Sequence, residues 1–396
     1  MTIAEWFDSG PMRHARLAMS GSALNSFCVK CYNDESHSGT SRRHKCNQKS
    51  VIFTKSNFAK SFEQSPHHKH FTDSFATQGS YQGMPIDLHI DLGNFCNLTC
   101  KMCNPGASSS IAVQHVKWGI ENARQFLGTD WTRDDLVWQR FLNELRNLAG
   151  LKNIHFMGGE TLLTKKFEEF VDYMIAHKKF DLHFSFVTNG TTFNEPLMDK
   201  LSLFKRVGIE VSIESLTRHN AYQRQGTNTR EVIDNIDRYL RYCDGKNITV
   251  TARPAISALT IGYYHTLLQY CLDRGIIVKS MTVYRPPFLD CKVLPLSVKK
   301  QYIKHYIDFL NDNNLVQEDI SKDFNESDPN ELKRIIKQQA LQCISLLEQD
   351  SPTNNDDLLG QMVRWCERWD KVASDLDARV LYPEFREILE KHAYQI

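Results

Sequence analysis

Residues 86–103 read IDLHIDLGNFCNLTCKMC, an apolar run that passes directly into three cysteines. Ile86, Leu88, Ile90 and Leu92 alternate with Asp87, His89, Asp91 and Gly93, the period of a half-buried strand. Cys96, Cys100 and Cys103 follow with three and then two residues between them, so one short loop at the strand's carboxyl end carries all three thiols. Ligands of α/β proteins bind at that end of the strands, and thiolates select zinc, copper(I) or iron-sulfur clusters. Closed zinc sites and ordinary clusters take four protein ligands. This loop supplies three, which in a cubane leaves one iron to a non-protein ligand.

Downstream, strands are predicted at 153–157, 182–188, 208–213, 248–252 and 277–283, with helical periodicity between them at 161–177, 195–205, 229–242 and 263–274. A further helix is predicted at 131–148, and residues 104–110, NPGASSS, predict a turn leading into a helix. Six strands alternating with helices build a parallel sheet through right-handed crossovers, with the site at the strands' carboxyl ends. The second strand ends in Gly158, Gly159 and Glu160: the glycines allow close backbone approach, and the carboxylate can accept from an ammonium. Arg224, in AYQRQGT, presents a fork that suits a carboxylate, or else makes an ordinary surface ion pair.

The spacing Cys96-x3-Cys100-x2-Cys103 after a first strand resembles the cluster motif of the radical SAM superfamily, with Met102 where that family usually has an aromatic residue. The resemblance implies a 4Fe-4S cluster whose open iron chelates S-adenosylmethionine (SAM), and an external low-potential electron donor. It also implies reductive cleavage to a 5′-deoxyadenosyl radical that abstracts hydrogen from a substrate. Gly158, Gly159 and Glu160 are similar to the family's Gly-Gly-Glu motif, which holds the amino group of SAM; Thr161 replaces the proline common at the next position. The Thr188-Asn189-Gly190 turn and the Ser212-Ile213-Glu214-Ser215 strand end look like family counterparts too. By that likeness Ser212 and Glu214 approach the ribose or the methionine carboxylate, and Arg224 pairs with the carboxylate. The implied fold is α/β, an open partial (β/α)6 barrel over residues 84–295. It is preceded by an N-terminal cysteine-containing extension, 1–83, and followed by a helical C-terminal region, 296–396.

Within the extension, Cys28 and Cys31 form a Cys-x2-Cys pair, half of a metal site, with Cys46 further on. The segment CVKCYNDESHSGTSRR is similar to that of twitch-type radical SAM proteins, in whose wider SPASM and twitch families such cysteines hold an auxiliary iron-sulfur cluster. A zinc knuckle and free thiols are the other readings. Cys291, in a loop after the last strand, is the candidate for a missing auxiliary ligand. His67, His68 and His70 lie in a polar stretch read as connection.

The chain of 396 residues carries 48 Lys+Arg against 47 Asp+Glu, a net charge of +1 that gives no global case for nucleic acid or an anionic membrane. No apolar run reaches the roughly 18 residues of a membrane helix. An odd count of 11 cysteines without an export signal speaks for a reducing compartment, the cytoplasm. Relatives with auxiliary-cluster segments often modify peptides or proteins, so a peptide is the first substrate expectation and a small metabolite or nucleoside the second. No residue stands out as a catalytic hydrogen donor. The rivals are a zinc-binding interaction protein with structural cysteine sites, and a relative that binds SAM without cleaving it.

Overall fold

The computed structural model describes residues 1–20, 28–38, 66–81, 84–128, 130–148, 150–318, 330–372 and 376–394. The chain divides into two compact units, one of residues 1–88 with 133–154, the other of 89–132 with 155–396.

The first unit is helical, with helices Ile3–Phe7, Gly10–Ser20, Val29–Ser38, Pro66–Ala76 and Asp135–Asn147. Ile3 donates its backbone N–H to Glu144 Oε2 at 2.7 Å, anchoring the amino terminus on the last of these. Arg16 donates to the Gly79 and Phe7 carbonyls at 2.7 and 2.8 Å and lies over the Phe7 and Tyr81 rings. Where composition predicts connection there is a helix, Pro66–Ala76, with proline at its first position, where no N–H is needed. Helix Asp135–Asn147 falls within the predicted 131–148 and starts four residues later, where the Asp134 carboxylate caps the Leu136 and Val137 N–H groups.

Ten strands are described: β1 (Asp87–Asp91), β2 (Thr99–Cys100), β3 (Asn153–Met157), β4 (His183–Thr188), β5 (Arg206–Val211), β6 (Arg224–Gln225), β7 (Ile248–Ala252), β8 (Ala255–Ile256), β9 (Ile277–Val278) and β10 (Met281–Thr282). Six form one sheet in the order β1-β3-β4-β5-β7-β9, with β1 and β9 as its edges. The pairs β4–β5, β5–β7 and β7–β9 are parallel. This is the expected α/β sheet of an open partial barrel, and a helical region follows it. The sixth strand is shorter than the predicted 277–283: β9 ends at Val278, and β10 leaves the sheet to pair in parallel with β8.

Within the second unit the core lies between one face of the sheet and the crossover helices. Phe156 and Phe184, from β3 and β4, meet Phe167 and Phe170 of helix Lys165–Ala176 at ring distances of 4.7–6.3 Å, all of them buried. Edge-to-face packing of this kind suits the ring quadrupoles. The C-terminal helices Leu296–Asp312, Glu331–Glu348 and Asn355–Asp370 complete the unit. No helix among the described residues is long and apolar enough to cross a membrane.

Candidate metal and cofactor site

The cysteine loop begins where β1 ends. Asn94, buried, donates its side-chain N–H groups to the carbonyls of Pro105 and Phe126 at 3.0 and 2.9 Å, closing the loop on itself. Three serines tie it to the following helix, Ser109–Lys117. Ser108 caps that helix and donates to the Leu98 carbonyl at 2.9 Å; Ser109 Oγ accepts from the Cys96 N–H; Ser110 donates to the Cys96 carbonyl at 2.6 Å. These serines therefore fix the loop's shape. The turn chemistry of NPGASSS is legible in the sequence, but its targets are not.

Cys100 lies in β2, which pairs antiparallel with β6 so that Thr99 faces Gln225 and Cys100 faces Arg224. This two-residue ladder brings Arg224 to the thiols. The guanidinium makes a bidentate pair with Glu214, at 2.7 Å from Nε and 2.5 Å from Nη2, and points Nη1 at the Cys100 sulfur, 3.8 Å away. Glu214 also accepts from the Ala255 N–H at 3.0 Å. Arg224 is thus committed to a carboxylate of this chain on one edge and to a cysteine sulfur on the other. Burial disfavours its charge, yet Glu214 and Cys100 together push its pKa up. Burial raises the thiol pKa at Cys96 and Cys100, and that of Cys103 to about 11.

Gly158 and Gly159 form the turn after β3 with φ of +89° and +54°. A Cβ on Gly158 would lie 1.7 Å from Asp91 Oδ1, and one on Gly159 2.2 Å from the Phe95 carbonyl oxygen. The close approach these glycines permit is to β1 and the cysteine loop. The same docking is closed by the Glu160 N–H, which donates to the Phe95 carbonyl at 2.7 Å.

Glu160 is 1% exposed. Its carboxylate accepts from the Leu162 and Asn189 N–H groups at 3.1 and 2.6 Å and from the Thr188 hydroxyl at 2.7 Å. Burial pushes its pKa up, against those three hydrogen bonds. Ser212, just past β5, is buried, and its N–H donates to the Thr188 carbonyl. The structure thus gathers Cys100, Arg224 and Glu214 directly, joins Gly159 and Glu160 to the cysteine loop, and ties Glu160 and Ser212 to the Thr188 turn.

Lys101, inside the cysteine loop, carries no signal in the sequence, yet it is 2% exposed. Its ammonium lies 3.8 Å from the Tyr222 ring centre and pairs with Asp370 at 3.6 Å, while Trp365 donates to its carbonyl at 3.2 Å. Asp370 accepts in turn from Tyr222, Tyr394 and the Ala378 N–H at 3.0, 2.6 and 3.0 Å. Helix Asn355–Asp370 therefore backs the loop from behind.

Three thiols on one loop, one of them facing a cationic N–H donor, fit a thiolate-held cluster with one position left open. Among the described residues no group of three or more His, Cys, Asp or Glu side chains closes on a single metal ion. In the first unit Cys28 and Cys31 are free, half-buried thiols at the start of helix Val29–Ser38. Cys46 lies outside the described residues. Cys291 is fully buried and free in the second unit.

Residues 90–254 match the family model of the radical SAM superfamily. No curated protein matches the chain. Among solved structures, Streptococcus suis SuiB bound to S-adenosylmethionine is similar over 62% of this chain and 49% of its own, at 13% identity and a TM-score of 0.39. The protein anSMEcpe with bound AdoMet is similar over 58% of this chain and 62% of its own, at 19% identity and a TM-score of 0.41. TsrM, a radical SAM methyltransferase of Kitasatospora setae, is similar over 49% of this chain and 35% of its own, at 13% identity and a TM-score of 0.36. The chain thus spans less than two thirds of the length of each of these structures.

Proposed function

We propose that the protein is a radical SAM enzyme in which Cys96, Cys100 and Cys103 hold a 4Fe-4S cluster. The observation that carries this is the Arg224 N–H on the Cys100 sulfur, inside a three-cysteine loop that lies within the matched domain. When bound, the cluster with SAM supplies one-electron reductive cleavage and a hydrogen-abstracting radical. The chain's own residues prepare for it. Arg224 partly neutralises the anionic thiolates, and Glu214 fixes the guanidinium's orientation. Gly158 and Gly159 seat the Glu160 turn against the loop, and this turn would hold the amino group of the cofactor. Ser212 lies at the β5 end, on the side assigned to the ribose or carboxylate. A buried, water-poor setting strengthens each of these polar contacts.

The substrate proposed first is a peptide, a reading supported by the resemblance of residues 28–43 to twitch-type segments; those cysteines, with Cys46, are proposed to hold an auxiliary cluster. The electron comes from an external low-potential donor. The test is the Cys96→Ala/Cys100→Ala/Cys103→Ala variant, reconstituted anaerobically beside the wild type. The expected result is loss of about four irons per chain and of all 5′-deoxyadenosine formation. Retained 5′-deoxyadenosine in the triple variant sinks the assignment.

A further inference from the structure

One-electron reduction makes an iron-sulfur cluster more negative, so a fixed cation or an N–H donor beside its cysteine sulfurs stabilises the reduced form and raises the potential. The cysteine loop has two buried cations at hand, Lys101 and Arg224. Lys101 is committed to Asp370 and to the Tyr222 ring. Arg224 faces the sulfurs: it is 8% exposed, with Nη1 at 3.8 Å from Cys100 Sγ. Burial raises the pKa of the Cys96, Cys100 and Cys103 thiols, and the Arg224 charge opposes it at each of the three.

The guanidinium is held at both ends. Its backbone lies in the β2–β6 ladder opposite Cys100, and the Lys101 N–H donates to the Gln223 carbonyl at 2.8 Å beside it. Its Nε and Nη2 donate to Glu214, which is fixed in turn: its carboxylate accepts from the Ala255 N–H at 3.0 Å, and its own N–H donates to Asn220 Oδ1 at 2.9 Å. Glu214 takes the edge made by Nε and Nη2, while Nη1 is the nitrogen that faces the sulfur. The carboxylate therefore damps the positive charge without cancelling it at the cysteines. The fork that would suit a carboxylate of the cofactor already holds one belonging to this chain.

We infer that Arg224, oriented by Glu214, is a redox-tuning residue that raises the reduction potential of the cluster at Cys96, Cys100 and Cys103, and that it is not the partner of the cofactor's carboxylate. The inference rests on the radical SAM reading and assigns the pair a role within that site. In the step concerned the cluster gains one electron from the external donor, and no bond or proton changes place. Arginine stays charged at every working pH, so the contribution is constant with pH. Glu214 sets its size, because the nearer the pair is to neutral, the less the cation lifts the potential.

The experiment is an anaerobic redox titration of the reconstituted full chain, following the paramagnetic signal of the reduced cluster, with SAM affinity measured separately by equilibrium dialysis on the oxidised protein. Arg224→Gln is expected to make reduction at least tenfold less favourable, a fall of about 59 mV for one electron, and Glu214→Gln to move the potential the other way. Opposite signs are the signature, since loosening of the loop would shift both variants alike. Arg224→Gln leaves a buried carboxylate unpaired, so the double variant Arg224→Gln/Glu214→Gln, which buries no lone charge, carries the test where the single variant fails to fold. Its potential is expected to fall, with SAM affinity within about twofold of the wild type. An unchanged potential in the double variant, shifts of the same sign in the two single variants, or a tenfold loss of SAM affinity in the double variant overturns the inference. Wild type that takes up no iron and forms no 5′-deoxyadenosine removes the radical SAM reading itself; wild type that does both, with variant potentials unmoved, removes this inference alone.

Discussion

Gly159 lacks a side chain at a point where a Cβ would lie 2.2 Å from the Phe95 carbonyl oxygen, whereas the Cβ of a residue at 158 would meet the Asp91 carboxylate, the far end of a side chain. Backbone cannot swing aside and a carboxylate can. Gly159→Ala is therefore expected to lower the thermal midpoint and iron retention more than Gly158→Ala, although position 158 has the larger positive φ. Equal effects of the two variants would contradict this. At Arg224, the bidentate pair with Glu214 means that Arg224→Gln leaves a buried carboxylate without its counter-ion, a loss of about 3–5 kcal/mol read in urea denaturation. Arg224→Lys recovers little of it, because an ammonium cannot span both carboxylate oxygens and the Cys100 sulfur. Glu160 gives the pH prediction. Its folded pKa is raised by burial, so the folded chain keeps a proton where the unfolded chain has lost it. Its contribution is fully present below the unfolded pKa and is lost as pH rises through the folded one. The stability difference between wild type and Glu160→Gln should accordingly shift against the wild type as pH is raised through that window; a difference that is flat with pH would contradict the direction.

At the scale of elements, helix Asn355–Asp370 and the cysteine loop meet through the Lys101–Asp370 pair, both side chains buried. Removing one partner of a buried pair leaves an uncompensated charge. Asp370→Leu takes away the counter-ion and also the acceptor for Tyr222, Tyr394 and the Ala378 N–H, so it is expected to cost more than about 3–5 kcal/mol. Lys101→Met should cost less, since Asp370 keeps those three donors. The reverse order would contradict the clamp. Little of this contact is legible in the sequence. The helix is plain from its periodicity, but Trp365 and Lys101 are 264 residues apart, and nothing local marks either as a partner. The same applies to Arg224. Its residue type suits a carboxylate, and the carboxylate it finds is Glu214, because the β2–β6 ladder sets Arg224 beside Cys100. Local signals were sufficient where local chemistry decides, as in the turn at residues 104–110 that leads into helix Ser109–Lys117.

For the whole molecule, the six-strand alternation is written in the sequence, since strands and crossover helices have distinct apolar periods. The short β9 is the exception, because within the predicted strand 277–283 β10 turns away to pair with β8. The polar side of β1, Asp87, His89 and Asp91, is present as alternation in residues 86–92, but which side chains of other strands stand beside it is not written there. Only the sheet brings His89 to His155 and His155 to Ser185. The account as a whole depends on the metal. The most direct measurement is anaerobic reconstitution of the full chain, counting iron, sulfide and zinc and assaying 5′-deoxyadenosine after addition of SAM and dithionite. About four irons per chain with 5′-deoxyadenosine is the predicted minimum, and about eight adds the cluster at Cys28, Cys31 and Cys46. Zinc in place of iron, with no labile sulfide and no 5′-deoxyadenosine, would contradict the account and leave a structural metal protein.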